Sequence, residues 1–414
     1  MSKAQKIVVG ALVALVAQSA HSMVFDNRYI PLLQKPYISV DDRPSHCAGN
    51  FFVTTASKAI DNREKEIGIP ELNGQFDLGQ YGAAFDVVGL PNPLRADIQG
   101  QSIPFNVNGV IQAQGVEFSY YQSIKDVAGI GFNWLLMRSV SRQEFLPKKI
   151  AGIDNDELDR TRREMFKTVG LCESYATQAG MGDLDLYMRF GYAWDYTLKL
   201  KRIDTRVRVG ALIPAGEKMR LNSPASIPFG GNGYWGMYAA SETEVELRED
   251  MKVGLILRGG KRFARTSVQR LPVAAKLLGS TKAAVEPQIF GVITGLARVN
   301  PGATLIFSPY VMMENLRAGL GIRINYALTK HWADSWCDAR CDKVIPIDLS
   351  QVNCLSAWKT DYISFTAFYD FGKVKVCRRL DPILIFTWDI PSLLFGSDQA
   401  VNMHKISLGL EFNF

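Results

Sequence analysis

Period-two alternation of apolar and polar residues runs through most of this chain. Between Leu316 and Thr329, Leu316, Ala318, Leu320, Ile322, Ile324, Tyr326 and Leu328 share one face of an extended segment. Arg317, Gly319, Gly321, Arg323, Asn325, Ala327 and Thr329 share the other. Successive side chains of a strand point to opposite sides, so this pattern predicts a strand with one greasy and one wet surface. Asp183–Tyr196 repeats it, with Leu184, Leu186, Met188, Phe190, Tyr192 and Trp194 opposed to Asp183, Asp185, Arg189 and Asp195. The next segments set Ile203, Thr205, Val207 and Val209 against Arg202, Asp204, Arg206 and Arg208. Trp235, Met237, Val245 and Leu247 then oppose Tyr238, Glu242, Glu244 and Glu246, and Val253, Leu255 and Leu257 oppose Lys252, Gly254 and Arg258.

Read throughout, the pattern predicts about twelve strands, near 47–58, 108–122, 128–142, 183–196, 200–213, 234–248, 251–264, 303–314, 316–329, 360–371, 381–390 and 404–414. The first alternates poorly. Gly79–Val88 competes with it, although Asp77 ahead of Leu78–Val88 would equally cap a short helix. Losing or gaining a hairpin gives ten or fourteen strands. Short turns near 123–127, 197–199, 249–250, 315 and 372–380 alternate with long loops at 59–107, 143–182, 214–233, 265–302, 330–359 and 391–403. That is the loop asymmetry of an all-β, antiparallel, up-and-down transmembrane barrel, with short turns and both termini on the periplasmic side. A soluble sandwich also alternates. The length of the strands and the aromatics near their ends (Trp134, Trp194, Trp235, Tyr326, Trp388 and Phe412) favour the membrane.

The ends of the chain add direction. Lys3 and Lys6, the uncharged run Ile7–Ala17 and the small residues Ala20 and Ser22 follow the order of a secretory signal, so 1–22 is expected to be removed. Residues 23–46 would then be a periplasmic N-terminal segment, and 47–414 the barrel. The C-terminal strand ends in Ser407, Gly409, Phe412 and Phe414, spaced as polar, glycine, aromatic, aromatic. This resembles the C-terminal assembly signal of Gram-negative outer-membrane β-barrel proteins, porins among them. The resemblance implies recognition by the barrel-assembly machinery and residence in the cell outer membrane, among its lipids.

Composition excludes more than it adds. With 414 residues, 47% hydrophobic, a mean hydropathy of −0.01 and a net charge of +6, the chain is neither disordered nor a helical membrane protein. No basic stripe interleaved with aromatics points to nucleic acid. The three histidines after residue 22, His46, His331 and His404, do not assemble a hydrolase. An offset of three puts His404 and Ser407 on opposite faces of a strand. No phosphate loop, metal-protease motif or cofactor motif occurs, so neither an enzyme nor a cofactor is expected. An exported chain with an even set of cysteines (Cys47, Cys172, Cys337, Cys341, Cys354 and Cys377) is expected to form disulfides. Two would lie outside, among Cys172, Cys337, Cys341 and Cys354, and one inside between Cys47 and Cys377. A zinc site using His331 is the weaker reading of the same residues.

The expected pore-lining set is Arg189, Arg202, Arg206, Arg208, Glu242, Glu244, Glu246, Arg258, Arg317 and Arg323. These residues either line a wet pore or pair across the ladder and stiffen the wall. Arg317 and Arg323 lack a matching acidic stripe and are expected to form an anion-attracting patch. The apolar content of loop 59–107 (Phe76, Leu78, Phe85, Val87 and Val88) predicts a constriction folded into the mouth, with a packed surface cap as the alternative. Pro272–Val285 and Asn155–Val169 read as helices. The function expected from these features is an outer-membrane pore for passive diffusion of small hydrophilic solutes or ions. Two rivals stand beside it: a plugged or substrate-specific transporter, and a structural or adhesive surface barrel.

Overall fold

A computed structural model describes residues 27–31, 33, 45–125, 127–149, 153–172, 174–196, 200–248, 250–274, 286–373, 381–392 and 394–414. The leader-like segment 1–22, the helix expected over most of Pro272–Val285, and Cys377 lie outside the described residues.

Twelve antiparallel strands close into one barrel. In chain order they are β1 His46–Ile60, β2 Phe105–Lys125, β3 Ala128–Pro147, β4 Leu184–Asp195, β5 Arg202–Ile213, β6 Gly236–Arg248, β7 Met251–Arg262, β8 Ala303–Arg317, β9 Leu320–His331, β10 Trp358–Asp370, β11 Asp381–Pro391 and β12 Ala400–Asn413. Each pairs with its neighbours in sequence, and β12 pairs with β1 from Ala400↔Ile60 to Asn413↔His46, so no main-chain edge is left open. All twelve expected strands are present, including the poorly alternating first one. Its apolar and polar residues are split by a bulge between Thr55 and Lys58. A transmembrane barrel places apolar side chains outside, and here the exposed large side chains of the strands include Phe51, Val53, Met188, Phe190, Val207, Val209, Ile322, Ile324, Ile406 and Leu408. Tyr192 and Trp194 mark the short-turn end of this outer band, and Trp235, Trp332 and Trp388 mark the other.

One hairpin departs from expectation. The turn joining β8 and β9 lies at Ala318–Gly319, not at residue 315, with Arg317 paired to Leu320 after a bulge. Asn315, Ala318 and Gly319 take positive φ of 54°, 22° and 87°. Alternation counted through Leu316–Ala318 therefore continued across a turn, because the apolar spacing alone carries no mark of the reversal.

The long loops gather at the opposite end and pack on one another. Asp77 starts helix α1, Leu78–Val88, by accepting from the Gln80 N–H at 3.1 Å, and Gly89 ends it in the left-handed region. Gly79–Val88 is thus helix, and the capping aspartate decides the matter. Asp77 also accepts from Ile103 N and Ser102 Oγ, pinning both ends of the loop. Helix α2, Asn155–Thr168, buries Leu158, Met165 and Phe166. Phe76 sits at the centre of the cap, with the rings of Phe105, Phe145, Phe166 and Phe290 at 5.4–5.6 Å. Beyond β7, Arg265–Leu271, Ile293–Asn300 and Ser335–Asp338 form a separate three-stranded sheet above the mouth.

The inner mouth is filled. Ile69 and Leu72, from the 3-10 turn Ile69–Asn73 of loop 59–107, pack against the inward-facing Phe52, Ala56, Ile111 and Met403. Ile227 and Phe229 of loop 214–233 join them. So does Ile30, whose neighbour Arg28 accepts from the Val401 N–H at the loop end of β12. Of the expected periplasmic segment 23–46, residues 27–31 and 33 therefore lie against the inner wall at the loop end, with Leu33 packed on Ala327 and Tyr362, whereas Ser45 and His46 lie at the short-turn end. Ile30 and Leu33, both fully or nearly fully buried, account for this placement, since a short apolar segment gains most where it leaves water.

Candidate functional site: the filled lumen and the outer mouth

The inward faces of β4 to β8 carry the charges. Arg189 of β4 and Arg208 of β5 face each other in the ladder and converge on Glu242 of β6, at 3.0 and 2.8 Å. Two guanidiniums directly opposed would repel, and the shared carboxylate relieves that. Arg206 pairs with Asp204 on its own strand. Nearer the short turns, Lys252 reaches Glu314 at 2.9 Å and Glu244 at 3.7 Å, and Lys373 reaches Glu314 at 3.2 Å. Aromatic rings lie under the cations: Arg258 is 3.6 Å from the Tyr238 centroid and Arg208 is 4.5 Å from that of Tyr187. Across the lumen side of β1, Lys405 of β12 bonds Glu117 of β2 at 2.6 Å.

The cluster at the centre of the wall is shielded from water. The side chains of Arg189 and Arg208 are 5% and 4% exposed and that of Glu242 is 12%. The cavity among Arg189, Asp204, Arg206, Glu242, Glu244, Ile256 and Tyr310 measures about 20 Å³, close to the room one water needs.

Of the residues expected in the pore, Arg189, Arg206, Arg208, Glu242, Glu244 and Arg258 come together on the inner wall. Arg202 and Glu246 face each other in the ladder at the short-turn end of β5 and β6. Arg323 is buried inside and reaches Thr366. Arg317 does not join it. Arg317 belongs to the exposed β8–β9 turn, so the expected Arg317–Arg323 anion patch does not form. The assembly-signal residues end β12: Phe414 is outward, Ser407 and Gly409 inward, and a side chain at Gly409 would collide with Asn50.

The cysteine expectation also changes. Among the described residues, Cys172, Cys337, Cys341 and Cys354 form no disulfide. Cys47 is buried in β1 opposite Phe412 and Tyr120, whereas Cys172, Cys337 and Cys354 sit on separate elements. Counting cysteines put Cys172, Cys337, Cys341 and Cys354 on one side but could not bring them to bonding distance, and the expected Cys47–Cys377 pair lies outside the described residues at Cys377. His331 is engaged by Thr304 Oγ1 at 2.9 Å and Asp334 at 3.0 Å and stacks on Trp358.

Open space is concentrated at the loop end. A cavity of about 200 Å³ lies under the three-stranded sheet, among Arg28, Tyr234, His331, Trp336 and Trp358. A second, also about 200 Å³, adjoins it. The two share Met219, Asn232, Gln269, Gln288 and Ile289. The floor is fixed by Asp183, which accepts from Gly216 N, Gly231 N and Arg262. The Arg262 guanidinium lies where a Gly231 side chain would stand, so only glycine lets loop 214–233 close over the ion pair. Sequence reading missed these cavities because 265–271 was taken for loop. The signal was there, in the alternation that continues past Arg262 through Arg265, Ser267 and Gln269.

No family model matches the chain, and no curated protein matches its sequence. Solved structures do. An outer-membrane channel of Pseudomonas putida F1 matches over 92% of this chain and 100% of its own, at 10% identity and a TM-score of 0.47. The Pseudomonas putida toluene transporter TodX matches over 96% of each chain at 9% identity and a TM-score of 0.32. The NanC porin matches over 73% of this chain and 94% of its own, at 10% identity and a TM-score of 0.30. Similarities this low carry no argument about what this chain passes.

Proposed function

We propose that this chain is an outer-membrane channel for small hydrophilic solutes that is closed at rest and takes its solute in through the loop-end cavities. The observation that carries this reading is the burial of the inward charges. In a permanently open pore Arg189, Arg208 and Glu242 would stand in water, but they are packed against each other and against tyrosines. A closed lumen beneath two open cavities of mixed polar and apolar lining suits selective uptake better than free diffusion, and the Ile30, Ile69 and Phe229 packing is the part that must move. The barrel belongs in the outer membrane on the strength of its apolar outer band and its C-terminal signal. A structural surface barrel is the second reading, since ion pairs filling the lumen would also serve rigidity. Liposome swelling with uncharged and charged solutes of graded size separates them. Selective, saturable uptake is expected. Fast, unselective swelling would return the chain to the open pores, and no swelling with any solute would favour the structural barrel.

A further inference from the structure

The second loop-end cavity has an unbalanced lining. Lys218 and Arg220 come from loop 214–233, and Arg265 and Arg270 from the strand Arg265–Leu271. Asn232, Ser267, Gln269 and Gln288 add polar groups, and no carboxylate lines the cavity. Arg270 is 2% exposed. Its guanidinium donates to the carbonyls of Leu221 at 2.6 Å, Gly291 at 2.9 Å and Val169 at 3.1 Å. Arg265 donates to the Gly233 carbonyl at 2.8 Å. Carbonyls hold Arg270 in place but leave its charge uncompensated, and a buried cation without a counter-charge is costly. Lys218, Arg220 and Arg265 are exposed and bring three more positive charges to the same cavity. Among the described residues, none of the four cations forms an ion pair with a carboxylate. Glu286 acts on Arg270 electrostatically, yet burial pushes its carboxyl up to about 8, so it is largely neutral at pH 7.

From this lining we infer that the cavity is a subsite for a small oxyanion, the carboxylate, phosphate or sulfonate group of a solute that then passes to the adjoining cavity. The inference rests on the channel reading and names its substrate class. The two cavities share a wall at Asn232, Gln269 and Gln288, so an anion leaving this basic cavity meets Arg28 and Arg262 in the adjoining one. A cationic funnel of this kind raises the local concentration of anions and steers their approach. The same chemistry would hold the phosphate of a lipid headgroup, and the position of the cavity at the shared wall with the mouth favours the free solute.

The test uses the full-length protein in a zwitterionic detergent at low salt. Calorimetric titration with inorganic phosphate is compared with glucose and with a monophosphoryl lipid A. Saturable phosphate binding at one site is expected, with none for glucose. The triple variant Lys218→Gln, Arg220→Gln, Arg265→Gln is expected to bind at least about tenfold more weakly, the scale of one lost charge-assisted contact. Gln269→Glu, which keeps all four cations and adds one negative charge, should weaken binding likewise and guards against misfolding of the triple variant. Arg317→Gln, on the opposite rim, should bind as the unaltered protein does. Absence of saturable phosphate binding, unchanged affinity in both cavity variants, or binding of the lipid alone would overturn the inference. Swelling of liposomes with uncharged solutes without phosphate binding would sink the subsite and leave the channel. Phosphate binding with no flux of any solute would do the reverse.

Discussion

The Glu117–Lys405 pair offers the sharpest test of how the lumen is held. The two groups are 1% and 3% exposed, 2.6 Å apart, and bridge β2 and β12 over the inward face of β1, with the Lys405 ammonium 5.0 Å from the Phe52 ring. At an effective dielectric constant of about 20, that separation corresponds to roughly 6 kcal/mol of gross attraction. Most of it offsets the cost of taking both charges out of water, so the pair adds little net stability. Removing one partner is different, because the other charge stays buried alone. Lys405→Met and Glu117→Gln are each expected to cost about 3–5 kcal/mol, whereas Glu117→Gln combined with Lys405→Met should recover most of that loss. Urea unfolding of the full chain in lipid vesicles, followed by tryptophan fluorescence, measures all four proteins. Single variants costing less than about 1 kcal/mol, the range of exposed pairs, would mean that water reaches these residues. A double variant as damaged as the sum of the singles would mean that the two groups do not act on each other. Either result refutes the reasoning that the lumen wall is dry.

Three further outcomes follow from the mouth and cap. Phe76→Ala removes the ring on which five others pack and should cost about 3–5 kcal/mol; protease cutting within 59–107 in folded protein, without loss of the barrel's β circular dichroism, would report it. Gly231→Ala pushes the Arg262 guanidinium off Asp183, so hydrogen exchange of loop 214–233 should rise at least about tenfold, and unchanged exchange would contradict the packing. Glu286 accepts from Val273 N and Val292 N in a fully buried setting, where desolvation raises its carboxyl from 4.5 to about 8. The folded cap therefore holds a proton that the unfolded chain releases, and cap stability falls as pH rises from about 4.5 to about 8. Scanning calorimetry should show this slope in the native protein and a flatter one in Glu286→Gln.

The barrel was legible because each wall residue answers to only two environments, and alternation records which. Asp77 likewise announced α1. What alternation does not record is where a strand turns back: the apolar Leu316 and Ala318 kept the rhythm through the β8–β9 hairpin and carried Arg317 into the wrong place. Ladder register also gives only the residue directly opposite. It pairs Arg206 with Glu242, whereas the long guanidiniums of Arg189 and Arg208 reach that carboxylate diagonally. The plug was harder still. Ile30 and Leu33 have no periodicity to read, and their burial depends on Phe52, Ile111, Ala327 and Tyr362, which lie far away in sequence. The basic cavity joins two distant segments, 218–220 and 265–270, and becomes visible only when the three-stranded sheet stands over the mouth.

Single-channel recording in planar bilayers addresses the closed lumen most directly. The native chain should show little steady current, and a variant lacking residues 27–33, with Arg189, Arg208 and Glu242 replaced by alanine, should open to a stable, larger conductance. A native protein that already conducts steadily, with the variant no different, would contradict the account.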